Sequence, residues 1–176
     1  AHLNDYPQKG DLYLGAYENG VVISHDTLPA LLFDEASRKR NFGRVEDNAA
    51  FRQAIHGLFP AGEVTALILH SVVNMWGFSV YKKGELLRSA SGAEGEFFGS
   101  TGAPLPEEES ILAEHPIETI DSGDVAYSEE LVFEVARRAL GHRYDEDPAV
   151  DELKCSHFKR KADPAGKKSF LSRLFG

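Results

Sequence analysis

Between Glu63 and Gly92 the chain carries its longest β-favouring run, EVTALILHSVVNMWGFSVYKKGELLRSASG. Its Val, Ile, Leu, Phe, Tyr and Trp residues fall into three segments separated by Asn74-Met75 and Lys83-Gly84. Each separator has the make-up of a two-residue hairpin loop, so the pattern predicts an antiparallel three-strand meander. Val64 to Val73 is apolar at nearly every position, as in a strand covered on both faces. The next segment alternates, with Trp76, Phe78 and Val80 on one face and Gly77, Ser79 and Tyr81 on the other.

Upstream, Asp11–Tyr17 and Val21–His25 flank Asn19-Gly20, a strong hairpin signal. Asp26-Thr27 is placed to cap a helix over residues 29–36, with Pro29 in its first turn and Ala30, Leu31, Leu32 and Phe33 apolar. Residues 34–46 are charged and aperiodic and read as a surface loop. A helix over 48–58 follows, with Asp47 as N-cap, Ala50, Phe51, Ala54, Ile55 and Leu58 as its stripe, and Pro60 ending it. Downstream of the meander, a Gly- and Pro-rich stretch holds one short strand near Glu96–Gly99, and Ile117–Ile120 is a further strand candidate. Ser128 is the expected N-cap of a helix over 129–140, with Leu131, Val132, Val135, Ala136, Ala139 and Leu140 inward, Arg137 and Arg138 near its end and Gly141 beyond.

These elements predict an α+β domain: a mostly antiparallel sheet of about five to seven strands, packed by helices near 29–36, 48–58 and 129–140. A three-layer version, with helices on both faces of the sheet, suits the doubly apolar segment 64–73. Periodicity is lost between Arg143 and Glu152, so the compact domain is expected to span residues 1–150, leaving 151–176 as a basic, flexible tail with an amphipathic end.

Charge sharpens that division. The chain of 176 residues carries a net charge of −9. From Lys154 to Gly176 there are seven Lys/Arg against Asp163, which gives the tail +6 and leaves −15 on residues 1–153. An acidic body argues against broad nucleic-acid binding. A basic tail ending in Phe170, Leu171, Leu174 and Phe175 suits docking on another protein, lying on an anionic membrane or folding back onto the acidic body, the plain alternative being a disordered solubilising tail. With one cysteine, Cys155, neither an intramolecular disulfide nor a cysteine-based metal cage can form. No apolar run reaches the roughly 18 residues of a membrane span. The cytoplasm is the expected location.

The meander also yields candidate chemistry. With two-residue loops, Val73 faces Trp76 and Lys82 faces Glu85, so His70 lies opposite Ser79 and Ser79 opposite Arg88. That row reads either as a polar pocket, Arg88 binding an anion beside His70 and Ser79, or as a hydrogen-bonded polar patch under a helix or at the solvent face. His70-Ser71 is no base–nucleophile pair, because neighbours on a strand point to opposite faces. Gly92, Gly95, Gly99 and Gly102 lack phosphate-loop spacing. Glu107–Glu109, and His142 with Asp145, Glu146 and Asp147, lack the ligand spacing of a cation site. Cys155 and His157 are too few for structural zinc. No catalytic residue, metal ligand or cofactor is assigned.

The run LILHSVVNMWGFSVYKKGELLRSASG, with GAPLPEEE after it, resembles a family of bacterial domains of unknown function. The carriers are His70–Val73, Trp76 and Phe78, Tyr81–Leu86 and Gly102–Pro106, with DLYLGAYENGVVISHDTL at 11–28 also similar. The resemblance spans roughly residues 7–140 and leaves out the tail. It implies a single domain and no particular activity, while favouring His70 and Arg88 for testing. Because no nucleophile, metal or phosphate motif stands out, the chain is expected to be a non-enzymatic binding or regulatory domain, the alternative being a small hydrolase-like enzyme built on the His70, Ser79 and Arg88 row.

Overall fold

A computed structural model of the chain describes residues 2, 5, 7–18, 20–42, 49–94, 96–117, 125–146 and 148–159. The first hairpin pairs β1 (Leu12–Tyr17) with β2 (Gly20–Ser24), Tyr17 standing opposite Gly20. Its two-residue turn thus lies one position earlier than Asn19-Gly20, and Glu18 takes a φ of 46°.

The helix expected over 29–36 is a 3-10 turn, Pro29–Leu32, with Ala30, Leu31 and Leu32 buried. Ahead of it the local acceptor is His25 rather than Asp26 or Thr27 as caps: its Nδ1 accepts the N–H groups of Thr27 at 3.0 Å and Leu28 at 3.2 Å. A separate helix, α1 (Glu35–Phe42), occupies much of the segment expected to be a loop. It buries Ser37 and Arg38, so no apolar stripe announced it. Helix α2 (Ala49–Leu58) matches the helix expected over 48–58. Phe51 and Ile55 pack inward, whereas Ala50, Ala54 and Leu58 are exposed. Its expected cap, Asp47, lies outside the described residues.

The central meander is present. β3 (Glu63–His70), β4 (Met75–Lys82), β5 (Glu85–Ala93) and β6 (Glu96–Thr101) form one antiparallel sheet in chain order. Lys83 and Gly84 take φ values of 53° and 82°, the left-handed pair that a tight type I′ hairpin loop requires. The first loop is longer than expected. Residues 71–73 form a 3-10 turn and Asn74 has a φ of 44°, so His70 pairs with Met75 and Leu69 with Trp76. Position in the sheet decides burial: β4 is internal and buried from Trp76 to Tyr81, while β3, expected to be covered on both faces, is an edge strand.

A 3-10 turn at Pro106–Glu108 leads into α3 (Glu109–Glu114), followed by α4 (Val125–Leu140), α5 (Pro148–Asp151) and β7 (Ser156–Phe158). Because α4 starts at Val125, Ser128 is buried in its first turn and is not its cap. Leu131, Val132, Val135 and Ala136 are buried as expected; Ala139 is exposed. Most of the strand candidate at 117–120 lies outside the described residues. β7 pairs antiparallel with β1, giving a second sheet in the order β2-β1-β7. Strand pairing therefore runs on to Phe158, past residue 150. Residues 160–176 of the basic tail lie outside the described residues.

The fold is α+β, with seven strands among the described residues in antiparallel sheets of three and four. Helical elements cover both faces of the larger sheet. Trp76, Phe78, Val80 and Ala90 meet Leu105, Leu131, Val132 and Val135 on one side. On the other, Ala66 and Tyr81 meet Leu32, Phe33, Phe51 and Ile55. The alternation in β4 thus divides two cores rather than core from solvent, each large side chain contributing about 1.5–3 kcal/mol by its burial. A third cluster, Tyr13, Val150 and Cys155, seals the smaller sheet.

Candidate functional site

The row of His70, Ser79 and Arg88 is not assembled. His70 is exposed at the end of β3 and pairs with Met75, while Ser79 pairs with Ala66. On the other side a β-bulge intervenes: Tyr81 faces Leu86, but Val80 faces Arg88 and Ser79 faces Ser89. Leu87 is the inserted residue, and everything beyond it changes face. Arg88 consequently enters the core beneath α4, where it meets Glu108; the two side chains are 1% and 0% exposed. Its Nε donates to Glu108 Oε1 at 2.9 Å and its Nη2 to Oε2 at 2.8 Å. Nη1 donates to Ser100 Oγ and to the carbonyl oxygens of Ser89, Thr101 and Gly102. Glu108 Oε1 also accepts the N–H of Leu105. With its donors engaged inside the core, Arg88 ties β5 to the Gly102–Glu108 segment.

Ser79 joins a different polar set on the opposite face. Asp34 accepts the Ser37 N–H at 3.0 Å through Oδ1, which makes it the N-cap of α1. Its Oδ2 accepts the hydroxyls of Ser37 at 2.8 Å and Ser89 at 3.0 Å. Ser89 Oγ lies 2.8 Å from Ser79 Oγ, and Ser91 donates to Ser37 at 2.7 Å. All four serines are fully buried. This is the hydrogen-bonded patch under a helix, with Ser89, Ser91, Ser37 and Asp34 in place of His70 and Arg88. Gly77 leaves room for it, since a Cβ there would lie 2.8 Å from Ser91 Cβ and 3.1 Å from Phe33 Cζ.

An open cleft lies elsewhere, between α2 and the β4–β5 turn. It encloses about 450 Å³ and is lined by Ala49, Arg52, Gln53, His56, Gly57, Pro60, Tyr81, Lys83 and Gly84. Amphipathic α2 turns Phe51 and Ile55 inward and so presents Arg52, Gln53 and His56 to the cleft. The His56 ring rests on Tyr81, centroids 4.6 Å apart and planes 44° apart. Tyr81 is itself fixed, donating its hydroxyl to the Leu32 carbonyl at 2.7 Å. Burial and, after it, the Arg52 charge hold the His56 imidazole below its ordinary pKa and therefore neutral at pH 7. Burial raises the Tyr81 phenol, against the nearby cations Arg52 and Arg38. His56 Nε2 is buried and has no hydrogen-bond partner among the described residues. None of these residues was assigned to a site from the sequence, because α2 and the turn meet only through the fold. The amphipathic spacing of α2 was the one available signal.

Residues 1–158 match the family described as "Family of unknown function (DUF6928)". The chain belongs to this family. The match takes in every strand and helix described here and leaves out the rest of the basic tail. No curated protein and no solved structure matches the chain. Membership upholds the resemblance to an uncharacterised domain and assigns no site.

In this family member the acidic clusters are divided among arginines. Glu107 pairs with Arg138, which also holds Glu63 at 2.6 Å, while Glu108 belongs to Arg88. Arg143 gathers Glu130, Glu134, Asp145 and Glu146 at 2.7–3.6 Å. Its hydrogen bond keeps the Asp145 carboxyl below the usual range. His157 contacts Asp11 at 2.7 Å, and the buried Cys155 thiol is pushed up by desolvation. Among the described residues, no group of three or more His, Cys, Asp or Glu side chains is arranged to hold a metal ion. Among them, too, no helix is long and apolar enough to cross a membrane.

Proposed function

We propose that this chain is a non-enzymatic binding domain and that its ligand site is the cleft between α2 and the β4–β5 turn. One observation carries the reading. The cleft has the volume of an ordinary small-molecule site, and it combines apolar lining with a few convergent polar groups, Arg52, Gln53, His56 and Lys83. Its floor is held from behind: Tyr81 is bonded to Leu32 and backed by the Phe51 and Ile55 cluster, so the site is preformed. The hydrolase alternative needs a nucleophile and a base in one place, and the three residues expected to supply them stand apart. A bacterial cytoplasmic setting belongs to the same proposal, supported by the sequence resemblance. So does a second contact, with another protein, through the basic residues of the tail.

The test is amide NMR with a small-molecule fragment library on the full chain. Ligands are expected to shift signals from Ala49, His56, Gly57 and Gly84 together. Shifts scattered over the surface, or centred on β3 and His70, would count against the cleft.

A further inference from the structure

We infer that the outward face of the smaller sheet is a docking surface, and that its occupant is this chain's own apolar segment at residues 170–175. Register fixes which side chains form the face. Tyr13 and Tyr17 of β1 join the core around Val150, and a Cβ on Gly15 would meet Leu153 and Cys155 at 2.9–3.0 Å. Alternation then sends Leu12, Leu14 and Ala16 to the other side. Their cross-strand partners share it: Phe158 opposite Leu12, Ile23 opposite Leu14 and Val21 opposite Ala16. Among the described residues, none of these side chains packs into any of the three cores. Leu14, Val21 and Phe158 are 38%, 41% and 54% exposed.

A single exposed leucine is ordinary, but a row of apolar neighbours across three strands marks an interaction surface. A sheet face that meets water alternates apolar-in with polar-out, whereas β1 is apolar outward at Leu12, Leu14 and Ala16. This face is built to be covered.

The occupant follows from tether, composition and charge. Phe158 is the last residue of β7 and belongs to the face, so the chain leaves from the surface it covers. Residues 159–169 then hold no apolar side chain larger than proline. Extended, they reach up to about 40 Å, against a face roughly 20 Å long and 10 Å across. Beyond them Phe170, Leu171, Leu174 and Phe175 supply large apolar groups at the spacing of one helical stripe. Residues 160–176 hold five Lys/Arg against Asp163, a net +4, which leaves −13 on residues 1–159. The body therefore attracts this segment, whereas it repels a second copy, which brings −9, and an anionic membrane. Tethering adds an effective concentration on the order of millimolar, which a separate molecule in dilute solution does not match. Docking uses the tail's apolar side chains and leaves its basic ones for contact with another protein.

The experiment places a nitroxide at Ser172→Cys, in the full chain with Cys155→Ala, and reads methyl NMR signals. Ser172 is a polar position of the segment, so the label replaces no docking group. In dilute solution Leu14, Val21 and Ile23 are expected to lose most of their intensity. Val72, which is 85% exposed but belongs to the larger sheet's first loop, should lose less. Phe170→Ser made together with Leu174→Ser is expected to restore the three signals without touching the fold. Leu14→Thr, which keeps a strand-favouring residue, should restore those of Val21 and Ile23. No loss at the three residues, or equal loss at Val72, would overturn the assignment. So would loss that appears when the nitroxide chain is mixed with an isotope-labelled chain lacking the label, since a second copy would then be the occupant. Co-sedimentation with phosphatidylserine vesicles that Leu14→Thr abolishes would make a lipid surface the occupant and equally overturn it.

Discussion

Arg88 and Glu108 face each other as a two-pronged ion pair inside the core, Nε to Oε1 at 2.9 Å and Nη2 to Oε2 at 2.8 Å. Burying two charges is costly, and their attraction offsets that only when further bonds complete both groups. Here they do, through Ser100, the carbonyls of residues 89, 101 and 102, and the Leu105 N–H. Arg88→Ala would strand a buried carboxylate and is expected to destabilise the fold by about 3–5 kcal/mol. His70→Ala, at an exposed strand end, should stay within about 0.5 kcal/mol. Urea denaturation of the two variants reads the contrast directly, and equal midpoints would contradict this assignment.

Gly102 makes that pair possible. Its φ is 85°, and a Cβ there would collide with the Leu87 carbonyl and lie 3.2 Å from Arg88 Cα. The bulge at Leu87 and the return of the chain toward Glu108 therefore need a residue without a side chain. Gly102→Ala is expected to cost at least about 1–3 kcal/mol from backbone strain and displacement. A melting temperature within a degree of wild type would argue that the segment can shift at no cost.

Asp34 is a second organising acid. It caps α1 and accepts the Ser37 and Ser89 hydroxyls, so Asp34→Ala removes the cap and leaves buried hydroxyls short of an acceptor. The expected loss is about 2–4 kcal/mol. Asp34→Asn, which retains a carbonyl oxygen, should recover part of it in the same denaturation series.

Acid should weaken the fold before any carboxylate titrates. His25 and His56 are both held below their ordinary pKa, burial being the main cause in each. The unfolded chain, with histidines near pKa 6.5, binds more protons than the folded one just below that pH. The contribution is therefore fully present above about pH 6.5 and is lost as the pH falls toward the folded values. His25 Nδ1 also accepts two N–H groups, bonds that protonation would abolish, while Asp26 at 2.8 Å works against the shift that burial imposes. Melting temperature measured between pH 8 and pH 5 should decline, and less steeply in His25→Asn. A flat profile would show that neither ring is held neutral.

Much of the fold was legible in the chain itself. The alternation of Trp76, Phe78 and Val80, the Lys83-Gly84 loop, the helix around 48–58 and the stripe from Leu131 to Ala136 all appear where the pattern puts them. Each is a local signal, set by side-chain period or by the φ that a turn demands. Helix α1 escaped because its buried face is polar: Ser37 and Arg38 are inside, and the Ser37 hydroxyl is bonded to Asp34. The candidate site was scarcely legible at all. Its lining residues come from α2 and from the β4–β5 turn, and only the amphipathic spacing of α2 hinted at one half of it.

By itself, then, the sequence determined the α+β class, the central meander, the second hairpin turn and the two apolar stripes that seal the larger sheet. It could do so because hydrophobic period and turn chemistry act over a few residues. The tertiary structure alone decided the faces. One extra residue, Leu87, and a first loop four residues long carried Arg88 away from Ser79 and left His70 at the sheet's end. Strand side chains alternate with a period of two, so a single inserted residue exchanges inside for outside, and nothing in the local pattern marks where the bulge falls.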